Sequence, residues 1–288
     1  EIVCYKDLIM QTVIYTIVVL GVLGLVGALV LYLTAKRFHV EEDERIGRIE
    51  DLLPGANCGA CGRNGCHDFA CACVEKGSLE DLVCPGASAG AMDSVAEILG
   101  VAPAADRERF VAVLKCNGAC TVRPRVYEYD GAESCAVMDA VGVGRSGCAY
   151  GCLGCGDCVG ACRFGALSIN RETGLAEVDP QACTGCGACA AECPRRLLEM
   201  RPVGRRERRV WVACSNRDKG AVARKVCVAA CIACGKCSRE CPFEAIDVSG
   251  NLAYIDAAKC KTCGKCIGVC PTGAISATFA PAVVNEKI

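Results

Sequence analysis

Four stretches of this chain share the spacing C-x2-C-x2-C-x3-C. They are Cys152, Cys155, Cys158, Cys162; Cys183, Cys186, Cys189, Cys193; Cys231, Cys234, Cys237, Cys241; and Cys260, Cys263, Cys266, Cys270. Two-residue gaps let one turn of backbone aim three thiolates at three iron corners of a [4Fe–4S] cluster, while the fourth cysteine serves the partner cluster. Zinc sites use separated pairs rather than repeated four-cysteine runs. The chemistry of these residues is therefore electron transfer. Crosswise sharing assigns Cys152, Cys155, Cys158 with Cys193; Cys183, Cys186, Cys189 with Cys162; Cys231, Cys234, Cys237 with Cys270; and Cys260, Cys263, Cys266 with Cys241. Proline follows the last cysteine at Pro194, Pro242 and Pro271, but Arg163 stands there in the first run.

Two further groups lie upstream. Cys58, Cys61, Cys66 and Cys84 form C-x2-C-x4-C-x17-C, with glycines around the first three that let backbone wrap a bulky cluster. Residues 67–76 read as a short helix opened by His67. Cys71 and Cys73 alternate around it, so both cannot face one cluster; they read as core residues first and as alternative ligands second. Cys116, Cys120, Cys135 and Cys148 are irregularly spaced and suit another cluster, although their spacing suits zinc equally. Residues 111–114 read as a strand delivering Cys116, and 127–129 as another, ending at the Asp130-Gly131 turn. Six clusters use 24 of the 29 cysteines, or five clusters if the 116–148 site holds none. Cys4, Cys71, Cys73, Cys214 and Cys227 remain; Cys214 and Cys227 read as structural thiols near the fifth cluster.

These groups need elements to position them. Each ferredoxin-type pair repeats one plan: run, strand start, hairpin, second run. Compare Gly165-Ala166-Leu167 with Glu244-Ala245-Ile246 and Gly273-Ala274-Ile275. The fold class is α+β: one N-terminal transmembrane helix, a small Fe–S domain, and two dicluster ferredoxin-like modules of short strands and helices. The segments are an anchor (1–36), an N-terminal 4Fe–4S domain (37–100), an irregular cluster-binding segment (101–148), module 1 (149–200), a linker and lead-in (201–228), module 2 (229–280) and a tail (281–288).

Residues 8–35 carry no charge, and Asp7 and Lys36 bound them. A helix of that length spans about 42 Å, enough to cross a hydrocarbon core. Lys36, Arg37, Arg45 and Arg48 follow it and only Lys6 precedes it, which puts the cluster domains on the cytoplasmic side. Reduced thiolates require a reducing compartment in any case. Residues 36–53 read as a short amphipathic helix ended by Pro54 and Gly55. The chain has a net charge of −1 and two histidines, which argues against a basic nucleic-acid binder and against multi-histidine catalysis.

Together these features resemble the RnfB family. The match covers nearly the whole chain, through Asn57-Cys58-Gly59-Ala60-Cys61-Gly62, Tyr150-Gly151-Cys152-Leu153-Gly154, and residues 213–220 with Cys214, Asn216 and Asp218. The family often has an apolar residue where this chain has Cys155, which leaves the ligand choice among Cys148, Cys152 and Cys155 open. The resemblance implies a subunit of an ion-translocating ferredoxin:NAD oxidoreductase. It would relay electrons from reduced ferredoxin through [4Fe–4S] clusters to membrane redox subunits, with sodium or proton export and no active site of its own. A membrane-anchored polyferredoxin serving another redox enzyme is the alternative. Arg195, Arg196, Arg201, Arg205, Arg206, Arg208 and Arg209 cluster in one stretch, which reads first as a solvated hairpin linking the two modules and second as a dock for acidic ferredoxin. Chain order suggests that the C-terminal modules accept electrons first and the 58–84 cluster hands them on.

Overall fold

The computed structural model describes residues 2–37, 43–102, 108–142 and 144–280, so the expected tail lies outside the described residues. The chain divides into two units, 1–44 and 45–288.

The first unit is helix α1 (Ile2–Arg37). The expected helix begins at residue 8; α1 starts earlier and takes in Cys4. Its stretch from Ile14 to Thr34 has a mean hydropathy of 2.6, and its large apolar side chains are exposed. A helix apolar on all sides finds no partner in water, whereas lipid satisfies it.

The second unit opens with α2 (Glu44–Leu52), α3 (Cys66–Lys76) and α4 (Ala89–Leu99). Ile49, Phe69, Cys73 and Val95 meet in their shared core. Gly77 and Gly100 end α3 and α4 in left-handed conformation, and the Ser88 hydroxyl accepts from Ala91 N–H to start α4.

Next come β1 (Phe110–Leu114) and α5 (Cys135–Val141). Residues 127–129 form no strand. Val126 and Tyr127 both donate to Arg145 O, and the Tyr129 ring folds over Gly131 to donate to Ala132 O. The turn residues there serve that fold-back rather than a hairpin.

Module 1 holds α6 (Asp157–Gly160), β2 (Leu167–Ile169), β3 (Ala176–Val178), α7 (Ala188–Glu192) and β4 (Leu198–Pro202). After β5 (Val210–Val212) and α8 (Gly220–Val226), module 2 repeats the order with α9 (Lys236–Glu240), β6 (Ile246–Ser249), β7 (Leu252–Ile255), α10 (Lys265–Gly268) and β8 (Ile275–Ala277).

Each module owns one hairpin, β2–β3 or β6–β7. Its last strand pairs with a strand from before the module. Thus β4 pairs antiparallel with β1, Leu198 opposite Leu114, and β8 with β5, Ile275 opposite Val212. Inward residues of these small sheets, such as Val111, Leu167, Val212 and Ile255, are buried against the cysteines. The modules are joined where Trp211 Nε1 donates to Leu114 O at 2.9 Å and Arg201 Nη2 donates to Ile255 O at 2.8 Å.

Candidate metal centres

The four runs build one local shape. Gly156, Gly187, Gly235 and Gly264 follow each second cysteine with φ between +69° and +94°, and Gly154, Gly185, Ala233 and Thr262 precede it with positive φ. Left-handed residues on both sides of the middle cysteine reverse the chain and turn successive N–H groups inward, a concavity suited to negative charge. Short helices α6, α7, α9 and α10 start at once and carry the buried third cysteines, Cys158, Cys189, Cys237 and Cys266.

The runs converge crosswise. One cavity is lined by Cys162, Cys183, Cys186 and Cys189; one by Cys231, Cys234, Cys237 and Cys270; one by Cys241, Cys260, Cys263 and Cys266. A fourth is lined by Cys152, Cys158 and Cys193, with Cys135 rather than Cys155 as the fourth thiol. These cavities measure about 280 to 420 Å³ with open solvent included, and their walls are otherwise mostly apolar, with Asp157 and Arg195 at one and Lys261 and Lys265 at another. The donor set fits [4Fe–4S] clusters. The Thr184 hydroxyl, buried in the wall beside Cys183 with no hydrogen-bond partner among the described residues, fits a donor to cluster sulfide. Burial, then neighbouring cysteine sulfurs, pushes the Cys158 and Cys266 thiols up to about 12 and Cys189 to about 11. Bound iron would reverse this, because a coordinating thiol is deprotonated outright.

The irregular group is where structure and expectation part. Cys116 and Cys148 do line one cavity, but their companions are Cys214 and Cys227. Cys120 is exposed and its sulfur abuts Gly174, while Cys135 lies at the module 1 cavity. The four expected together, Cys116, Cys120, Cys135 and Cys148, therefore do not converge. The physical reason is the strand pairing. Pairing of β1 with β4 carries residue 116 back beside the start of module 2, where Asn117 N donates to Ala213 O at 2.8 Å. Donors already surround these sulfurs: Cys152 N to Cys116 Sγ at 3.4 Å, Cys231 N to Cys214 Sγ at 3.3 Å, and Asn216 Nδ2 to Cys148 Sγ at 3.5 Å. Arg123, buried beside them, donates to Gly118 O and Cys152 O.

In the N-terminal domain, Cys61, Cys66 and Cys84 stand within electrostatic reach of one another. Cys58 precedes them on the turn through Gly59, φ +71°. Asn57 Oδ1 accepts from Cys66 N at 2.7 Å and so pins the start of α3 to this loop. Cys73, fully buried, faces the same group; burial raises its thiol to about 11, with Arg63 opposing and Cys61 and Cys84 adding. Cys71 is only half-buried. The helix starts at Cys66 rather than at the expected His67, whose Nδ1 meets Glu50 Oε2 at 2.8 Å.

This domain rests on module 1 through the residues after Cys162. Arg163 Nη1 donates to Ala56 O at 2.5 Å, and Phe164 packs so close to Gly86 that a Cβ there would stand 2.9 Å from its ring. Arginine in place of the usual proline supplies this link.

Three arginines of the basic stretch are consumed by the fold. The Arg195 side chain is 6% exposed and binds Asp139 Oδ1 at 2.6 Å, and Arg201, 3% exposed, binds Glu199 at 2.9 Å. Arg209 is also buried, with Nε and Nη1 lacking partners among the described residues. Arg196, Arg206 and Arg208 remain exposed, with Arg208 over the Phe279 ring. The side chain of Arg205 lies outside the described residues.

The geometry agrees with known proteins. A family model described as "4Fe-4S dicluster domain" matches residues 151–197, 182–245 and 230–274, and one described as "Putative Fe-S cluster" matches 53–84. The chain is 41% identical to the B subunit of the Na(+)-translocating ferredoxin:NAD(+) oxidoreductase complex of Acetobacterium woodii, over 87% of this chain and 73% of that one. It is 40% identical to the proton-translocating counterpart of Clostridium ljungdahlii, over 86% and 85%. It is equally close, at 40%, to the B subunit of the ion-translocating oxidoreductase complex of Methanosarcina acetivorans, over 86% and 92%. At about 40% identity over most of both chains, this chain belongs to the family of B subunits of ion-translocating ferredoxin:NAD(+) oxidoreductase complexes, the RnfB family.

Proposed function

We propose that the chain accepts electrons from reduced ferredoxin and passes them to membrane redox subunits of an Rnf-type complex that reduces NAD and exports sodium ions or protons. It carries six [4Fe–4S] clusters. Their ligands are Cys58, Cys61, Cys66 and Cys84; Cys116, Cys148, Cys214 and Cys227; Cys152, Cys158 and Cys193 with a fourth thiol; and the three complete crosswise sets. When bound, the clusters supply one-electron transfer. The chain's part is to hold them in series, keep water out, and aim N–H donors at sulfur.

One observation carries this reading. The irregular site touches the first ligand of both modules, through Cys152 N–H to Cys116 Sγ and Cys231 N–H to Cys214 Sγ. It therefore lies between the first ligands of the two dicluster units. The contact of Arg163 with Ala56 extends the series from module 1 to the N-terminal domain. The order that follows runs from module 2 through the irregular site to module 1 and then to the 58–84 site. The basic residues after α1 support a cytoplasmic location for all of it.

Iron, sulfide and zinc analysis of the anaerobically purified chain tests the reading. About 24 irons with little zinc is the expected result. About 20 irons with one zinc would make the irregular site structural and break the series. Failure of reduced ferredoxin to bleach the cluster absorbance would remove the proposed donor.

A further inference from the structure

Module 2 shows what its first cavity needs: one thiol for each corner, from Cys231, Cys234, Cys237 and Cys270. The repeat places Cys152, Cys155, Cys158 and Cys193 at the same points of module 1. Yet Cys135 lines that cavity where the repeat would place Cys155, and Cys155 stands within electrostatic reach of Cys135. Two thiols thus compete for one corner.

Cys135 is held there from several sides. Asp157, two residues past Cys155, accepts from Cys135 N at 2.9 Å, from Ala136 N at 3.1 Å and from the Ser134 hydroxyl at 2.9 Å. At the other end of α5, Asp139 receives Arg195 Nε, and Arg195 Nη1 donates to Gly151 O at 2.7 Å. Met138 is fully buried between these clasps. These hydrogen bonds join α5 to the segments that carry Cys152, Cys158 and Cys193.

Resting on the cluster reading above, we propose that Cys135 and Cys155 are interchangeable ligands of one iron, one bound as thiolate while the other stands protonated beside it. A cubane iron already holds three sulfides and takes one terminal ligand, so both cannot bind together. Exchange forms one Fe–S(Cys) bond and breaks another. The proton of the entering thiol passes to the leaving thiolate, and no electron is gained or lost. The waiting thiol donates a hydrogen bond to the bound sulfur, which favours the reduced cluster. Among the described residues, module 2 has no equivalent fifth thiol at its matching cavity.

The full-length chain tests this as Cys135→Ala, Cys155→Ala and the double variant, each read by iron content and electron paramagnetic resonance. Each single variant is expected to retain wild-type iron, with an altered signal from one cluster. The double variant is expected to show an oxidised [3Fe–4S] signal and to lose iron from that site alone. Retention of the other clusters, about 20 irons, reports an intact fold. A [3Fe–4S] signal in either single variant would overturn the exchange, because one cysteine would then be the sole ligand. A double variant matching wild type in iron and spectrum would instead overturn the cluster reading at this cavity. Alkylation of the loaded wild-type chain gives a check free of variants. Label divided between Cys135 and Cys155 is expected, and label confined to one overturns the exchange.

Discussion

Asn216 donates its side-chain amide to the sulfur of Cys148 across 3.5 Å, from 68 positions further along the chain, and it is 1% exposed. A buried amide spent on a sulfur marks that sulfur as one whose charge must be stabilised. Replacing Cys214 or Cys227 with alanine should therefore remove about four irons, whereas Cys120→Ala should remove none. Asn216→Leu should keep the iron and lower the midpoint potential of one cluster. Metal analysis and a redox titration followed by electron paramagnetic resonance check all four variants.

The close approach of Phe164 to Gly86 leaves no room for a side chain. Gly86→Val should cost about 1–3 kcal/mol through overpacking. It should also separate the N-terminal domain from module 1, leaving iron content unchanged while slowing electron transfer between the two. Flash photolysis with a tethered photoreductant would show the slow phase. An unchanged rate would mean that this contact does not set the distance.

Arg201 joins the modules through Val210 O, Ile255 O and Glu199, and stacks over Tyr254. Arg201→Met should destabilise the chain by about 3 kcal/mol, since it strips partners from buried carbonyls and from Glu199. Arg201→Lys should rescue little of this, because a single ammonium cannot span the fork of contacts. Thermal loss of cluster absorbance reads both variants.

Among the described residues of the basic stretch, exposed Arg196, Arg206 and Arg208 are the arginines left to meet an acidic partner. Reversing all three to glutamate should slow ferredoxin-driven reduction about tenfold at low salt, with the difference closing as salt rises. Stopped-flow bleaching at two ionic strengths measures this. Equal rates for variant and wild type would place the dock elsewhere.

The ferredoxin runs were legible because their information is local. Spacing of two and three residues fixes where Cys183, Cys186 and Cys189 point, whatever surrounds them. The hairpins of 167–178 and 246–255 were readable for the same reason. Cys214 and Cys227 were not, because nothing in their spacing to each other resembles a cluster run. They become partners of Cys116 only once β1 has paired with β4 and β5 with β8. One signal was available: two cysteines flanking Asn216 and Asp218 just upstream of a ferredoxin run. The arginine stretch was only partly legible for a related reason. Charge density in sequence does not distinguish Arg206, in solvent, from Arg201, wedged between sheets.

The pairing of β1 with β4 also bears on how the chain is made. Cys116 and Cys148 leave the ribosome long before Cys227, so the cavity they share has half its wall missing while the first module is already complete. On the proposed ligand set, delivery of iron and sulfide there would wait for translation to pass residue 227. A centre linking the two modules would then mature after the first of the modules it links, and a chain truncated between residues 202 and 213 would retain the first module with an open circuit at its edge.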